Sequence, residues 1–168
     1  MRVHVFLGGL LFALLQSCYF LLLEAQLSSA WSTYMAVTVG WLAGSLGGLR
    51  VVRAPRRDAA FIAASLAAYY GTWAGLRSRP FDERLLPAYA LGVAVSGAYA
   101  GYFLRANAER SADPRRTLLM ENNGFIAGLI SAFIGFFLVG EPFLVSAPAL
   151  AGLACLLSAG GPPEKPRT

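Results

Sequence analysis

Side chains able to do chemistry are scarce in this sequence, and the densest group is Glu121, Asn122 and Asn123, directly before Gly124. They sit in an otherwise apolar run, and a buried polar group costs free energy unless it finds a partner. The cluster is therefore a candidate polar lining for a solute path, or a gate. The alternative is an ordinary helix start, where acidic residues are favoured, paired with Arg115 or Arg116. The residues alone leave both readings open. Glu24 and Glu141 lie at the ends of apolar runs, where a long side chain can reach water; Glu24 joins the candidate polar set. Ser96 has no base beside it, since the only histidine is His4 at the extreme N-terminus. A serine without a base is a weak nucleophile, so Ser96 reads as a small packing residue. His4 alone would also need a partner histidine from another chain to ligate heme. Cys18 and Cys155 show neither a disulfide framework nor a metal-ligand spacing and read as packing residues. Zinc spacings, a glycine-rich phosphate loop followed by lysine, and a facing pair of carboxylates are all missing. The expectation is no independent enzyme, no cofactor and no metal.

The elements that must position these residues follow from composition. Apolar residues make up 57 % of the 168-residue chain, charged residues only 14 %, and mean hydropathy is +0.56. A soluble domain of this size needs more polar surface. A helix spans the hydrocarbon core with roughly 20 residues, which leaves room for about six spans. The apolar runs place them at 5–25, 30–49, 59–76, 86–104, 118–140 and 143–160. The expected fold is all-α: a polytopic bundle of six transmembrane helices forming a single domain over 1–160, with a short cytoplasmic tail at 161–168. The first run, Val5 to Leu23, is longer than an ordinary signal core, so Ser28-Ser29-Ala30 is not read as a cleavage site. Pro55, Pro80 and Pro114 fall in connectors, Pro87 suits a first helical turn, and Pro148 predicts a kink.

Every long apolar run also carries small residues four apart. Gly40, Gly44 and Gly48 form the clearest ladder, followed by Gly71 with Gly75, Gly97 with Gly101, and Gly124 with Gly128. Gly9, Ala13 and Ser17 near the start, and Ala147, Ala151, Cys155 and Ala159 near the end, repeat it more softly. Lipid tails are as apolar as leucine, so helices in a bilayer associate by the close packing that small residues permit.

Orientation follows from arginine and lysine. Arg50, Arg53, Arg56 and Arg57 occupy the second connector, and Arg105, Arg110, Arg115 and Arg116 the fourth. With Arg2, Lys165 and Arg167 they place most basic residues on one side; Arg77, Arg79 and Arg84 face the other, partly offset by Asp82 and Glu83. The positive-inside rule puts both termini in the cytoplasm. The net charge of +5 is thus a topology signal and not a nucleic-acid footprint. Trp31, Tyr34, Tyr69, Tyr70, Trp73 and Tyr102 fit an interfacial aromatic belt, whereas Trp41 sits nearer mid-span. Arginine- and alanine-rich usage points to a bacterium, and so to its inner membrane.

Val95-Ser96-Gly97-Ala98 is similar to the serine motif of rhomboid proteases, but Ala94 stands where that family has glycine and the sixth span carries no histidine. Leu21-Leu22-Leu23-Glu24, Gly40-Trp41-Leu42-Ala43-Gly44-Ser45-Leu46-Gly47-Gly48, Leu86-Pro87 with Gly92, and Arg116 through Gly124 resemble the membrane-embedded region of bacterial spermidine-synthase-like membrane proteins. Met120 and Asn123 depart from that pattern, and the aminopropyltransferase domain is absent, so no polyamine chemistry is implied. Gly44 through Arg57 is also similar to the cytoplasmic loop of major facilitator transporters, without its acidic residue. The resemblances imply a six-helix unit like half of a facilitator. Two functions remain: a scaffold or accessory subunit working through helix packing, or a small-solute transporter built as a homo-oligomer of half-units. The expected partners are the lipid bilayer and either further copies of the chain or other membrane subunits.

Overall fold

The computed structural model describes residues 2–27, 30–51, 57–111 and 113–159; the expectations for Arg53, Arg56, Lys165, Arg167 and the 161–168 tail lie outside them. The described chain is all-α. Its helices are α1 (Arg2–Leu27), α2 (Ala30–Gly48), α3 (Arg57–Ser78), α4 (Leu86–Arg110), α5 (Pro114–Val139) and α6 (Glu141–Ala159), with a 3-10 turn at Glu83–Leu85 before α4. Among the described residues, α1 from Val3, α3, α5 and α6 are long and apolar enough to cross a membrane. By the same measure α2 and α4 fall short of the six expected spans. Their glycines, serines, tyrosines and the two tryptophans of α2 lower the mean hydropathy.

The fourth connector is much shorter than the expected Arg105 to Thr117. Helix α4 runs on to Arg110, where Arg105 Nε pairs with Glu109 Oε1 at 2.8 Å one turn along. Helix α5 starts at Pro114, whose missing N–H costs nothing there, and the Asp113 carboxylate accepts from Arg116 N at 3.1 Å. Arg105, Arg110, Arg115 and Arg116 are therefore helical residues, not loop residues.

Glycine decides which helices touch most closely. A Cβ at Gly44 or Gly48 would overlap the carbonyl of Ala94 or Ala98, and one at Gly40 would come within 2.7 Å of Ala90 O. From the other side, Gly97 and Gly101 abut Trp41 O and Ser45 O. Both registers rise together along the two helices, so α2 and α4 run parallel. Gly124 and Gly128 meet Phe6 O and Leu10 O in the same way, and Gly9 meets Glu121 O, which makes α1 and α5 parallel. A Cβ at Gly75 would come within 3.2 Å of the Tyr89 ring. Gly71 differs within the single chain: a Cβ there would meet no described residue within 4 Å, on a side of α3 that faces outward.

Helices α1 and α4 cross antiparallel at the centre. The Phe103 ring lies on Gly8, and the Tyr19 hydroxyl bonds Gly92 O at 3.2 Å. Helices α3 and α6 are also antiparallel: Tyr69 Oη donates to Leu144 O at 2.8 Å and Tyr70 Oη to Val145 O at 2.6 Å. Leu144 is four residues before Pro148, so its carbonyl has no helical donor, and Tyr69 supplies one. Tyr69 and Tyr102 are therefore not belt residues; both are buried, Tyr102 stacked on Phe61 at 4.6 Å.

These contacts repeat. Helices start at 2, 30 and 57 and again at 86, 114 and 141, each pair 84 residues apart. The α2–α4 seam recurs as α5–α1, and the aromatic on glycine recurs as Tyr19 over Gly92 and Phe103 over Gly8. Gly40-Trp41-Leu42-Ala43-Gly44 corresponds to Gly124-Phe125-Ile126-Ala127-Gly128. The second three helices repeat the first and run the opposite way.

Candidate functional site

The two carboxamides of the sequence cluster point outward. Gly124 and Gly128 must face α1 because nothing larger fits there, and this rotates Asn122 and Asn123 onto the exposed side of α5. Glu121 is half-buried, with its carbonyl against Gly9. It lies seven residues past the N1 position of α5, so it does not cap the helix; Asp113 does. Arg105 pairs with Glu109 and Arg77 with Glu141, and among the described residues neither Arg115 nor Arg116 pairs with Glu121. Glu24 is half-buried near the far end of α1. About fifteen residues of helix rise, roughly 22 Å, separate it from the level of Gly9 and Glu121. The four candidate residues do not form one site.

A second polar group lies inside, around Ser96, whose Tyr19 and Ser65 partners the sequence did not reveal. Tyr19 Oη and Ser96 Oγ are 3.2 Å apart, and Ser96 Oγ lies 3.3 Å from both Ser65 O and Gly92 O. Helices α1, α3 and α4 are joined there by hydroxyls away from water. Ile62, Ser65, Tyr69, Thr72 and Leu76 are the buried stripe of α3, at helical spacing. That spacing was readable, but alanines and a tryptophan on the other faces of α3 mask it. Ser96 is thus a buried hydrogen-bonding residue as well as a small one. His4 is elsewhere: its Nδ1 meets Ser158 Oγ at 2.9 Å and its ring packs beside Phe103, about two turns from Ser96 along α4.

Rings fill the space between the Ser96 network and His4. Phe12 meets Tyr99 and Phe103, each at 5.2 Å between centroids, and Phe61 stacks on Tyr102. Such edge and stacked contacts favour a packed interior. Outside, Met35, Val39, Leu42 and Leu46 on α2, and Leu119, Ile126, Ile130, Phe133 and Phe137 on α5, are all exposed. A polypeptide in water does not leave so continuous an apolar wall uncovered.

The helix directions gather Arg50, Arg57, Arg105, Arg110, Arg115 and Arg116 at one end of the bundle. Arg77, Arg79 and Arg84 lie at the other, where Arg77 pairs with Glu141 at 3.1 Å and Trp73 Nε1 donates to the same carboxylate at 3.3 Å. No family model matches this chain, and neither does any curated protein or solved structure.

Proposed function

We propose that the chain is a multi-pass integral protein of the bacterial inner membrane, with six spans and both termini cytoplasmic, that acts through helix contacts as a scaffold or accessory subunit. One observation carries this reading. The carboxamides of Asn122 and Asn123 sit on the outer wall, while the interior holds packed rings and the Tyr19–Ser96 hydroxyl pair. In a bilayer, an outward amide is stabilised by a protein neighbour that can exchange hydrogen bonds with it. The apolar wall supports lipid immersion, and the arginines at one end support a cytoplasmic placement for that end. Extraction of the tagged chain in mild detergent, followed by native electrophoresis, is expected to give a particle larger than one copy in its micelle. A lone copy under every mild condition would sink the reading.

The inverted three-helix repeat favours a second reading, a small-solute transporter assembled from half-units, since transporters use such repeats. It agrees with the resemblance to half of a facilitator. On this reading the Tyr19, Ser96 and Ser65 junction between the repeats is where a path would open. Proteoliposomes would then take up solute, and Ser96→Ala and Glu121→Gln would each reduce the rate. Uptake equal to that of empty vesicles across amino acids, amines, sugars and inorganic ions would remove this reading.

A further inference from the structure

We propose that the outer face of α5 around Asn122 and Asn123 binds a second copy of this chain, α5 against α5, in a parallel two-fold dimer. The inference rests on the helix-contact reading above and names its partner. The repeat supplies the first argument. Residue for residue, Leu119, Asn123, Ile126, Ile130 and Phe133 on α5 correspond to Met35, Val39, Leu42 and Leu46 on α2 and to Leu49 just beyond its end, and all ten are exposed. The fold therefore builds the same outward stripe twice. On α2 the stripe is apolar throughout, so the scaffold does not need an amide at this position. On α5 it carries Asn123, with Asn122 beside it where α2 has Thr38. A requirement outside the single chain explains the difference.

The spacing supplies the second argument. Leu119, Asn123, Ile126, Ile130, Phe133 and Phe137 alternate by four and three residues, the seven-residue repeat that lets two helices keep one seam in contact. Along a bilayer helix apolar residues alone would say little, because lipid accepts them. One amide at a seam position is the device that sets register in such pairs. A carboxamide both donates and accepts. A two-fold axis along the membrane normal brings each Asn123 to its own counterpart at equal depth, so the pair closes its own hydrogen bonds. A second copy matches in depth and chemistry without further assumption. Arg116, the next outward position before Leu119, falls beyond the apolar wall, where water and ions screen repulsion between the copies.

The test uses the full chain in its membrane, with single cysteines introduced on a Cys18→Ser, Cys155→Ser background. Oxidation of Asn123→Cys is expected to give a covalent dimer, and Val39→Cys, the matching position on α2, is expected to give none. Asn122→Leu with Asn123→Leu should weaken dimerisation about tenfold, the scale of an interhelical amide bond, while leaving the fold intact because leucine suits lipid. Three results overturn the proposal: no dimer from Asn123→Cys, equal dimer from Val39→Cys, or undiminished dimer in the double leucine variant. Linkage of Asn123→Cys to a different protein overturns it also and identifies a heterologous partner. A native complex that survives while these results fail condemns only the α5 interface. A chain that runs alone condemns the underlying reading as well.

Discussion

At the scale of single residues, the interior is governed by which backbone carbonyls lack a donor. Pro148 removes the N–H that would bond Leu144 O, and Tyr69 reaches across from α3 to replace it at 2.8 Å. A buried carbonyl left without a donor costs about 1–3 kcal/mol. Tyr69→Phe should therefore destabilise the protein by about that amount in a detergent or thermal unfolding assay. The same substitution made on Pro148→Ala should cost much less, because alanine restores the helical N–H. A coupling near zero between the two would show that Tyr69 acts through packing alone. From sequence, Pro148 was legible as a disturbance in α6, and a neighbour able to satisfy the freed carbonyl was foreseeable in kind. Tyr69 as that neighbour was not, since it belongs to another helix and looked like a membrane-interface residue. The same limit applied to Tyr102, whose stacking on Phe61 depends on how α3 and α4 meet.

At the scale of helices, glycine spacing was the most legible signal, yet spacing alone does not say which ladders meet another helix. Gly40, Gly44 and Gly48 interlock with Gly97 and Gly101, and Gly124 and Gly128 lie on α1. Gly71 stands four residues before Gly75, and a Cβ there would meet none of the described residues within 4 Å. The distinction lies in rotation: Gly71 is on the outward side of α3, while the buried stripe runs through Ser65, Tyr69 and Thr72. The two kinds of glycine should respond to alanine with opposite sign. Gly44→Ala drives a methyl into Ala94 O and should cost about 1–3 kcal/mol as overpacking, more for Gly44→Leu. Gly71→Ala should be neutral or stabilise by roughly 0.5–1 kcal/mol, the gain expected for alanine in an open helical position. Parallel melting curves of the two variants decide this, and equal losses would mean that both glycines face neighbours. Boundaries were less legible than ladders: the charged stretch after Leu104 looked like a loop, but the Arg105 to Glu109 pair and the Asp113 cap hold it in helices.

At the scale of the whole molecule, the repeat makes the two ends of the bundle nearly interchangeable, and charge is what tells them apart. Arg110, Arg115 and Arg116 in the second half correspond to Gln26, Trp31 and Ser32 in the first, and Arg50 and Arg57 correspond to Ile134 and Glu141. The shared glycine seams favour neither orientation in a bilayer, because each half offers the same packing upside down. On the proposed six-span topology it is the arginines that choose, through their resistance to crossing the membrane. Cysteines at Arg50 and Arg110 should accordingly react with an impermeant maleimide from the cytoplasmic side, and a cysteine at Arg79 from the opposite side. Exchanging the charges tests the cause: Gln26→Arg, Trp31→Arg and Ser32→Arg combined with Arg110→Gln, Arg115→Trp and Arg116→Ser should yield a mixed or reversed population. A chain whose orientation is unmoved by that exchange would owe its topology to something other than arginine placement. If the cysteines at Arg50 and Arg110 instead react from opposite sides, the helices do not all cross the bilayer, and the six-span reading falls with them.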